Sequence, residues 1–387
     1  MKQSIKEVDV QGKRVLMRVD FNVPIQGGKI TDDRRIQMAL PTIQSVLERG
    51  GKVTLMSHLG RPSGVGFEEA FSLKPVATRL SELLGIAVAF DEPSEASVVL
   101  RENLRFDARE KEGDDSFGAK LAEGCDIYCN DAFGTAHRNH ASMVAVPSHM
   151  KGKPRVAGLL LEKELRYLYE TVRHAEAPFV AVLGGAKVSE KLGAIDRLIG
   201  TVDSIVIGGA MAYTLLAAKG VGIGNSLVEE DLFVQSREML QRADANGTTI
   251  QLPQDHVCAT RIADDAKTTD INGDIPDELM GLDIGPETIK SFAATCRQAK
   301  TIVWNGPMGV FECEPFSQGT RGVAEAIAEA TLLGAVSIVG GGDSAAAIAK
   351  FGLETQMTHI STGGGASLQM LEGKEFLSVS LLDDTVS

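Results

Sequence analysis

Short, nearly continuous apolar runs alternate with amphipathic stretches along almost the whole chain. The runs fall at residues 15–19, 52–57, 98–100, 126–129, 179–183, 204–207, 249–252, 301–304, 336–339 and 359–361. Apolar runs without alternation mark strands covered on both faces, as parallel sheets require. Helical spacing of apolar positions appears between them, at 35–48, 73–84, 159–175, 189–199, 231–245, 286–298 and 319–330. Alternating strand and helix over this length predicts an α/β chain of doubly wound parallel sheets. Ten or so strands divide more comfortably into two sheets than one. Residues 152–178 supply the boundary: a loop, a long helix, then Pro178 before a fresh strand. The expected architecture is therefore two Rossmann-like lobes joined by a helical hinge, over 1–170 and 171–372, with a tail at 373–387. No short-period repeat or low-complexity segment interrupts it.

At 387 residues the chain is long enough for a substantial core in each lobe. With 43% apolar and 24% charged residues it has the composition of a soluble globular protein, and no run approaches the ~20 residues that span a bilayer. The polar start MKQSIKEVDVQGKR lacks the apolar region of a signal peptide, which predicts a cytoplasmic protein with no membrane partner. Five cysteines, Cys125, Cys129, Cys258, Cys296 and Cys313, form no C-x-x-C pair and are expected to be reduced core residues. A formal charge of −13 argues against a nucleic-acid partner. Local charge opposes that sign in the N-terminal half. Arg18, His58, Arg61, Arg105 and Arg138 all fall at the ends of predicted strands, and strand ends in such a sheet converge on one crevice.

Chemistry concentrates at glycines in the other half. GGGDS, Gly340 to Ser344, and STGGGAS, Ser361 to Ser367, each follow a β-branched run and open a helical pattern. Glycines there let backbone N–H groups approach a phosphate, to which a helix N-terminus adds about half a positive charge. A pair of tight turns needing positive φ is the alternative reading. Two turns so close, one carrying Asp343 where a metal ligand would sit, favour a nucleotide. In LGGAKVSEK, a strand ends in Gly184 and Gly185, and Lys187 and Lys191 follow four apart, a spacing that puts both on one face of a starting helix. Such lysines suit phosphate, though a solvated helix face has the same pattern. WNGPMGVFE delivers Glu312 from a loop shaped by Pro307 and two glycines, or is simply a structural turn. No G-x-x-x-x-G-K-[ST] occurs, which excludes a P-loop. Gly340, Gly342 and Ala345 match a dinucleotide fingerprint, but the acid expected about 20 residues on is missing.

Nine segments, in order, resemble the phosphoglycerate kinase family: RVDFNVP, DDRRI, SHLGRP, ENLRF, NDAFGTAHR, LGGAKVSEK, WNGPMGVFE, GGGDS and STGGGAS. The resemblance covers essentially the whole chain. It implies reversible phosphoryl transfer between 1,3-bisphosphoglycerate with ADP and 3-phosphoglycerate with ATP, in a monomer that uses Mg²⁺. The substrate 3-phosphoglycerate would be held on the N-terminal lobe and the nucleotide on the C-terminal one. Asp20 and Asn22 match contacts to the glycerate; His58, Arg61, Arg105 and Arg138 match the basic set around its phosphate. Arg35 matches the arginine facing the reacting carboxyl, in preference to Arg34. Lys187 resembles the lysine near the transferring phosphoryl group, Lys191 the one on the nucleotide phosphates, and Asp343 the Mg²⁺ ligand. Gly341, Gly342 and Ser344 belong to the same phosphate turn; Glu312 resembles the ribose contact; Gly208, Gly209, Gly281 and Leu282 resemble parts of the adenine pocket.

The implied chemistry accounts for a basic constellation without a catalytic base. A carboxylate nucleophile is already ionised at neutral pH, so no proton need be removed. In-line transfer spreads negative charge over three equatorial oxygens, and Arg35, Lys187 and the N–H groups of Gly363, Gly364 and Gly365 are placed to meet it. Hinge closure would exclude water from the acyl phosphate. A nucleotide sensor would not need the N-terminal basic cluster, and a dehydrogenase would bind NAD instead. In the family the C-terminal tail returns to the N-terminal lobe. Here EFLSVSLLDDTVS lacks the usual early proline, yet the tail 373–387 is expected to pack back on the N-terminal lobe, with its final residues fraying.

Overall fold

Strands apolar on both faces pair in parallel and need helices on each side, and the chain meets that requirement twice. The computed structural model describes residues 1–91 and 95–385. They form two compact units, one from Met1–Arg166 with the chain from Glu375 onward, the other from Tyr167–Lys374.

In the first unit the strands are β1 (Arg14–Val19), β2 (Ile25–Gln26), β3 (Lys29–Ile30), β4 (Lys52–Met56), β5 (Ala89–Phe90), β6 (Val98–Leu100), β7 (Ile127–Asp131) and β8 (Arg155–Ala157). Six of them make a parallel sheet in the order β5-β6-β4-β1-β7-β8. Val15 lies opposite Val53 on one side and Ile127 on the other, and every residue of β7 is buried. The helix Arg34–Glu48 turns Ile36, Ala39, Ile43 and Val46 into the core, a spacing of three and four that makes one apolar face. The β2–β3 hairpin turns at Gly27 and Gly28, both at positive φ, as a two-residue turn between right-twisted strands requires.

The second unit holds β9 (Phe179–Leu183), β10 (Ser204–Ile207), β11 (Thr249–Gln251), β12 (Asp255–Ala259), β13 (Thr269–Asn272), β14 (Met280–Ile284), β15 (Thr301–Asn305), β16 (Val336–Gly340) and β17 (His359–Ile360). Its parallel sheet runs β11-β10-β9-β15-β16-β17, and β13-β12-β14 form a separate antiparallel sheet. Trp304 is buried at the sheet centre, where its indole N–H donates to the Gly306 carbonyl at 2.8 Å. Both parallel sheets reverse their strand order next to the first strand of the unit, and ligands of open α/β sheets bind outside the carboxyl ends of strands at such switch points.

Several elements differ from expectation. The stretch expected as one helix at 159–175 is α-helical at Leu159–Leu165 and Thr171–Arg173 with a π-helical turn, Arg166–Glu170, between. The strand β8, the sheet β13-β12-β14 and the helices Ala108–Glu112, Asp115–Ala122 and Met211–Ala218 were not expected. Nor does the tail fray within the described residues. Asp383 receives the Arg155 backbone amide at 2.9 Å and its guanidinium at 2.6 Å, and the buried Ser378 hydroxyl donates to the Ala136 carbonyl at 2.6 Å. Among the described residues no helix is long and apolar enough to cross a membrane.

Candidate active site

In the first unit the expected substrate residues gather at the carboxyl ends of β1, β4, β6 and β7. Asp20 and Asn22 follow β1, His58 follows β4, Arg105 sits in the turn Leu104–Phe106 after β6, and Arg138 lies beyond β7. These loops are laced together. The Phe21 amide donates to Ser57 Oγ at 2.8 Å, the Gly60 amide to Asn22 Oδ1 at 2.9 Å, and Arg105 to the Gly60 carbonyl at 2.7 Å. Arg35, in the first turn of its helix, pairs with Asp20, whereas Arg34 turns outward onto Asp32 at 2.6 Å. Arg61 and Arg138 are exposed, the latter with Nε 3.3 Å from His137 Nε2.

Beneath this surface lies a charge that was legible in the sequence only as a basic residue at a strand end. Arg18 is fully buried: Nε donates to Ser142 Oγ at 2.9 Å, one terminal nitrogen donates to the Val19 carbonyl, and the other faces His58 Nδ1 at 3.1 Å. Ser142 in turn donates its hydroxyl to the buried Glu110 at 2.6 Å. Burial, reinforced by Arg18, Arg105 and Arg138, holds His58 well below the ordinary imidazole range. The same causes depress His140 to about 3. Both rings are therefore neutral near pH 7. Burial first, then Arg138 and Arg18, lowers Arg105 to about 10. Its Nε and one terminal nitrogen are buried with no protein partner. A partly desolvated guanidinium among other cations, with N–H groups unspent, is stabilised by an anion.

In the second unit the switch point lies between β9 and β15, and the glycine loops cluster there. The Gly184 amide donates to the Asn305 carbonyl at 3.0 Å, and the Gly209 amide to the Met308 carbonyl at 2.8 Å. Val310 donates to the Leu282 carbonyl at 2.9 Å, so the segments around Gly208, Leu282 and Met308 converge. Gly341 has φ of 93°, a conformation that favours glycine, and the helix Gly342–Phe351 opens directly after it. A Cβ added to Gly364 would lie 3.3 Å from the Gly342 nitrogen, so the two phosphate-type turns abut. Asp343 is exposed in the first turn of its helix, and Glu312 is exposed in its loop. The Ser344 side chain is buried, accepting from the Gly306 amide at 2.7 Å, which ties the turn to the loop after β15. Gly281, in β14, packs against the Tyr213 ring, and its amide donates to Ser226 Oγ at 2.9 Å.

Two expectations need correction. Lys187 and Lys191 do not share a helix face: the helix begins only at Leu192, leaving Lys187 exposed in the preceding loop. Glu229 ties down that loop by accepting from the Ser189 amide at 3.0 Å and hydroxyl at 2.6 Å. The N–H of Gly363 is engaged by Ser361 Oγ at 3.2 Å, which leaves Gly364 and Gly365 at the helix start as the amides of that turn. Sequence reasoning also missed Asn305. Its Oδ1 accepts from Lys191 Nζ, and its Nδ2 is buried without a partner close to Gly340 and Gly341. Burial lowers the Lys191 ammonium from its usual range, against the pull of Glu190, Asp343 and Glu372.

A cationic crevice at one sheet switch point and paired glycine turns at another also describe what this chain resembles. The family model for phosphoglycerate kinase matches residues 5–374. A phosphoglycerate kinase of Rhodopirellula baltica is 54% identical over 99% of each chain. The solved phosphoglycerate kinase of Coxiella burnetii superposes with a TM-score of 0.90 at 41% identity, covering 98% of each chain. That of Pyrococcus horikoshii does so at 0.83 and 31% identity, covering 99% of this chain and 98% of its own. Sequence and fold agree over nearly the full length, and the chain belongs to the phosphoglycerate kinase family.

Proposed function

We propose that the chain transfers a phosphoryl group reversibly between the acyl phosphate of 1,3-bisphosphoglycerate and ADP, as the family name implies. The observation that carries this reading is Arg105, with two buried N–H groups lacking a partner at the convergence of Arg18, His58 and Arg138. That site calls for a phosphate, and the neighbouring Asp20 and Asn22 supply acceptors for the hydroxyl of a glycerate. The set Asp20, Asn22, Arg35, His58, Arg61, Arg105 and Arg138 is assigned to 3-phosphoglycerate. Lys191, Gly281, Glu312 and Gly341 to Ser344 are assigned to the nucleotide, joined by Asn305.

The acceptor carboxylate attacks without a base because it is ionised already. Arg35, Lys187 and the Gly364 amide then meet charge that develops on the transferring group, with the two ligands brought together by closure of the units. Mg²⁺ fits Asp343. Among the described residues no group of three or more His, Cys, Asp or Glu side chains is arranged for a metal, and Mg²⁺ needs only one or two carboxylates beside substrate phosphates. The ion, when bound, supplies positive charge to phosphate oxygens. We assign the protein to the cytoplasm as a monomer, a reading supported by its five free cysteines for the location and by its family for the monomer.

The test is a coupled assay with 3-phosphoglycerate and Mg-ATP beside a metal-free control. Turnover that depends on both substrates and on Mg²⁺ is expected. Nucleotide binding without turnover would replace the enzyme by a sensor.

A further inference from the structure

The helix Met211–Ala218 starts just after Gly208 and Gly209, and the Met211 amide donates to the Gly185 carbonyl at 3.0 Å, so the nucleotide loops set its position. Its Tyr213 points into a small apolar cluster with Leu216, Cys258 and Ile275. There the phenol hydroxyl meets Nδ1 of His256 at 3.4 Å, the rings lying 5.4 Å apart. Tyr213 is 3% exposed and His256 1%. Burial lowers His256 to about 4 and raises the Tyr213 phenol, so a neutral imidazole meets a protonated hydroxyl. Filling space in this cluster needs neither polar group, and burying both is costly unless they pair.

The pair presses on a particular place. A Cβ on Gly281 would overlap the Tyr213 hydroxyl and ring, so the tyrosine occupies the volume a side chain at 281 would take. Opposite, the β12–β14 register slips between Val257 and Cys258, which makes Leu282 the extra residue of a bulge. Its carbonyl turns to the Val310 amide in the loop that carries Glu312. The backbone groups of this wall are thereby spent: the Gly281 N–H on Ser226, the Leu282 C=O on Val310. A wall without free donors or acceptors at these two groups distinguishes bases by shape, and shape discriminates only when the wall is held still.

We propose that Tyr213 and His256 are positioning residues for the nucleotide base, a hydrogen-bonded strut that fixes the Gly281–Leu282 wall and thereby selects among purines. The inference rests on the assignment of Gly281 and Leu282 to the base. Removing the hydroxyl leaves a space beneath Gly281 into which the wall relaxes.

The experiment compares ADP and GDP kinetics, with 1,3-bisphosphoglycerate supplied in a coupled assay, for the parent, Tyr213→Phe, His256→Leu, their double variant and Leu282→Ala. Tyr213→Phe should raise the KM for ADP by about tenfold, the worth of one buried hydrogen bond, and narrow the ADP-to-GDP ratio of kcat/KM. The kcat and the KM for 1,3-bisphosphoglycerate should stay within about twofold. The double variant should be no worse than either single one, since both break the same bond. An unchanged ADP-to-GDP ratio, or equal losses toward both substrates, overturns the strut. If Leu282→Ala also leaves the KM for ADP unchanged, the base assignment itself is wrong. If Leu282→Ala raises it and Tyr213→Phe does not, only the strut fails.

Discussion

Arg155 and Asp383, 228 residues apart in sequence, meet through the arginine Nε at 3.1 Å and a terminal nitrogen at 2.6 Å, while the second carboxylate oxygen takes the Arg155 amide. Arg155 stands on β8, the outer strand of its sheet, so this contact docks the tail onto an edge where the Ala157 amide already donates to the Gln3 carbonyl at 2.8 Å. Lys2 adds a bridge to Asp384 at 2.9 Å and a hydrogen bond to the Leu382 carbonyl.

Asp383→Ala removes charge-assisted bonds to a half-buried partner, and a loss of about 1–3 kcal/mol in the unfolding of this unit is expected. Urea titration followed by fluorescence or circular dichroism measures it. A midpoint equal to the parent's would show the tail to be a passive passenger.

Glu110 presents a harsher case. Its carboxylate is fully buried and accepts the Ser142 amide at 2.9 Å and hydroxyl at 2.6 Å, and Ser142 accepts from the buried Arg18. Glu110→Ala leaves the buried Ser142 amide and hydroxyl without their acceptor, which costs roughly 1–3 kcal/mol for each unsatisfied group. Calorimetry should show a large fall in Tm, and Glu110→Gln, which retains an acceptor for Ser142, should fall less.

The parallel strands are legible in the sequence because burial on both faces leaves an unbroken apolar run, as at Phe179–Leu183 and Ser204–Ile207. The antiparallel sheet is not, because β13 reads TDIN with exposed threonine, aspartate and asparagine, and β12 buries aspartate and histidine. The helix Met211–Ala218 is apolar nearly all round, so it lacks the polar face that periodicity detects. In the site, side chains at loops after strands are legible as charges without a reason to be there. The roles of Arg18, Glu110, Ser142 and Asn305 are not, since they come from partners 32 to 124 residues away.

The geometry distinguishes two adjacent arginines. Arg35 joins Asp20 near the acceptor residues, whereas Arg34 is spent on Asp32 in solvent. Arg35→Ala should lower kcat by about 10²–10³, the loss typical of one donor to developing charge, with a much smaller change in substrate affinity. Arg34→Ala should leave kcat within about threefold, because exposed ion pairs contribute little. Lys187→Ala is expected to behave like Arg35→Ala. Steady-state kinetics on the three variants, with equal losses at Arg34 and Arg35, would reverse the assignment.

The pH dependence of stability follows from His140. The folded protein resists protonating this ring until about pH 3, chiefly because it is buried and next because Arg18 and Arg105 repel the charge. The unfolded chain takes that proton near pH 6.5. Since the unfolded state binds more protons between these values, the ring's contribution is fully present above pH 6.5 and is lost as pH falls toward 3. Asp131 and Asp283 pull the other way. Burial raises them to about 6 and about 8, so acidification over that range favours the folded state through them. The total curve therefore hides the histidine, and the difference between parent and His140→Gln isolates it. Relative to its value at pH 7.5, the variant should gain on the parent by about 2 kcal/mol at pH 5, whatever the substitution costs at neutral pH. Thermal unfolding of both proteins at the two pH values measures this double difference. A value near zero would mean that His140 is free to take its proton in the folded state.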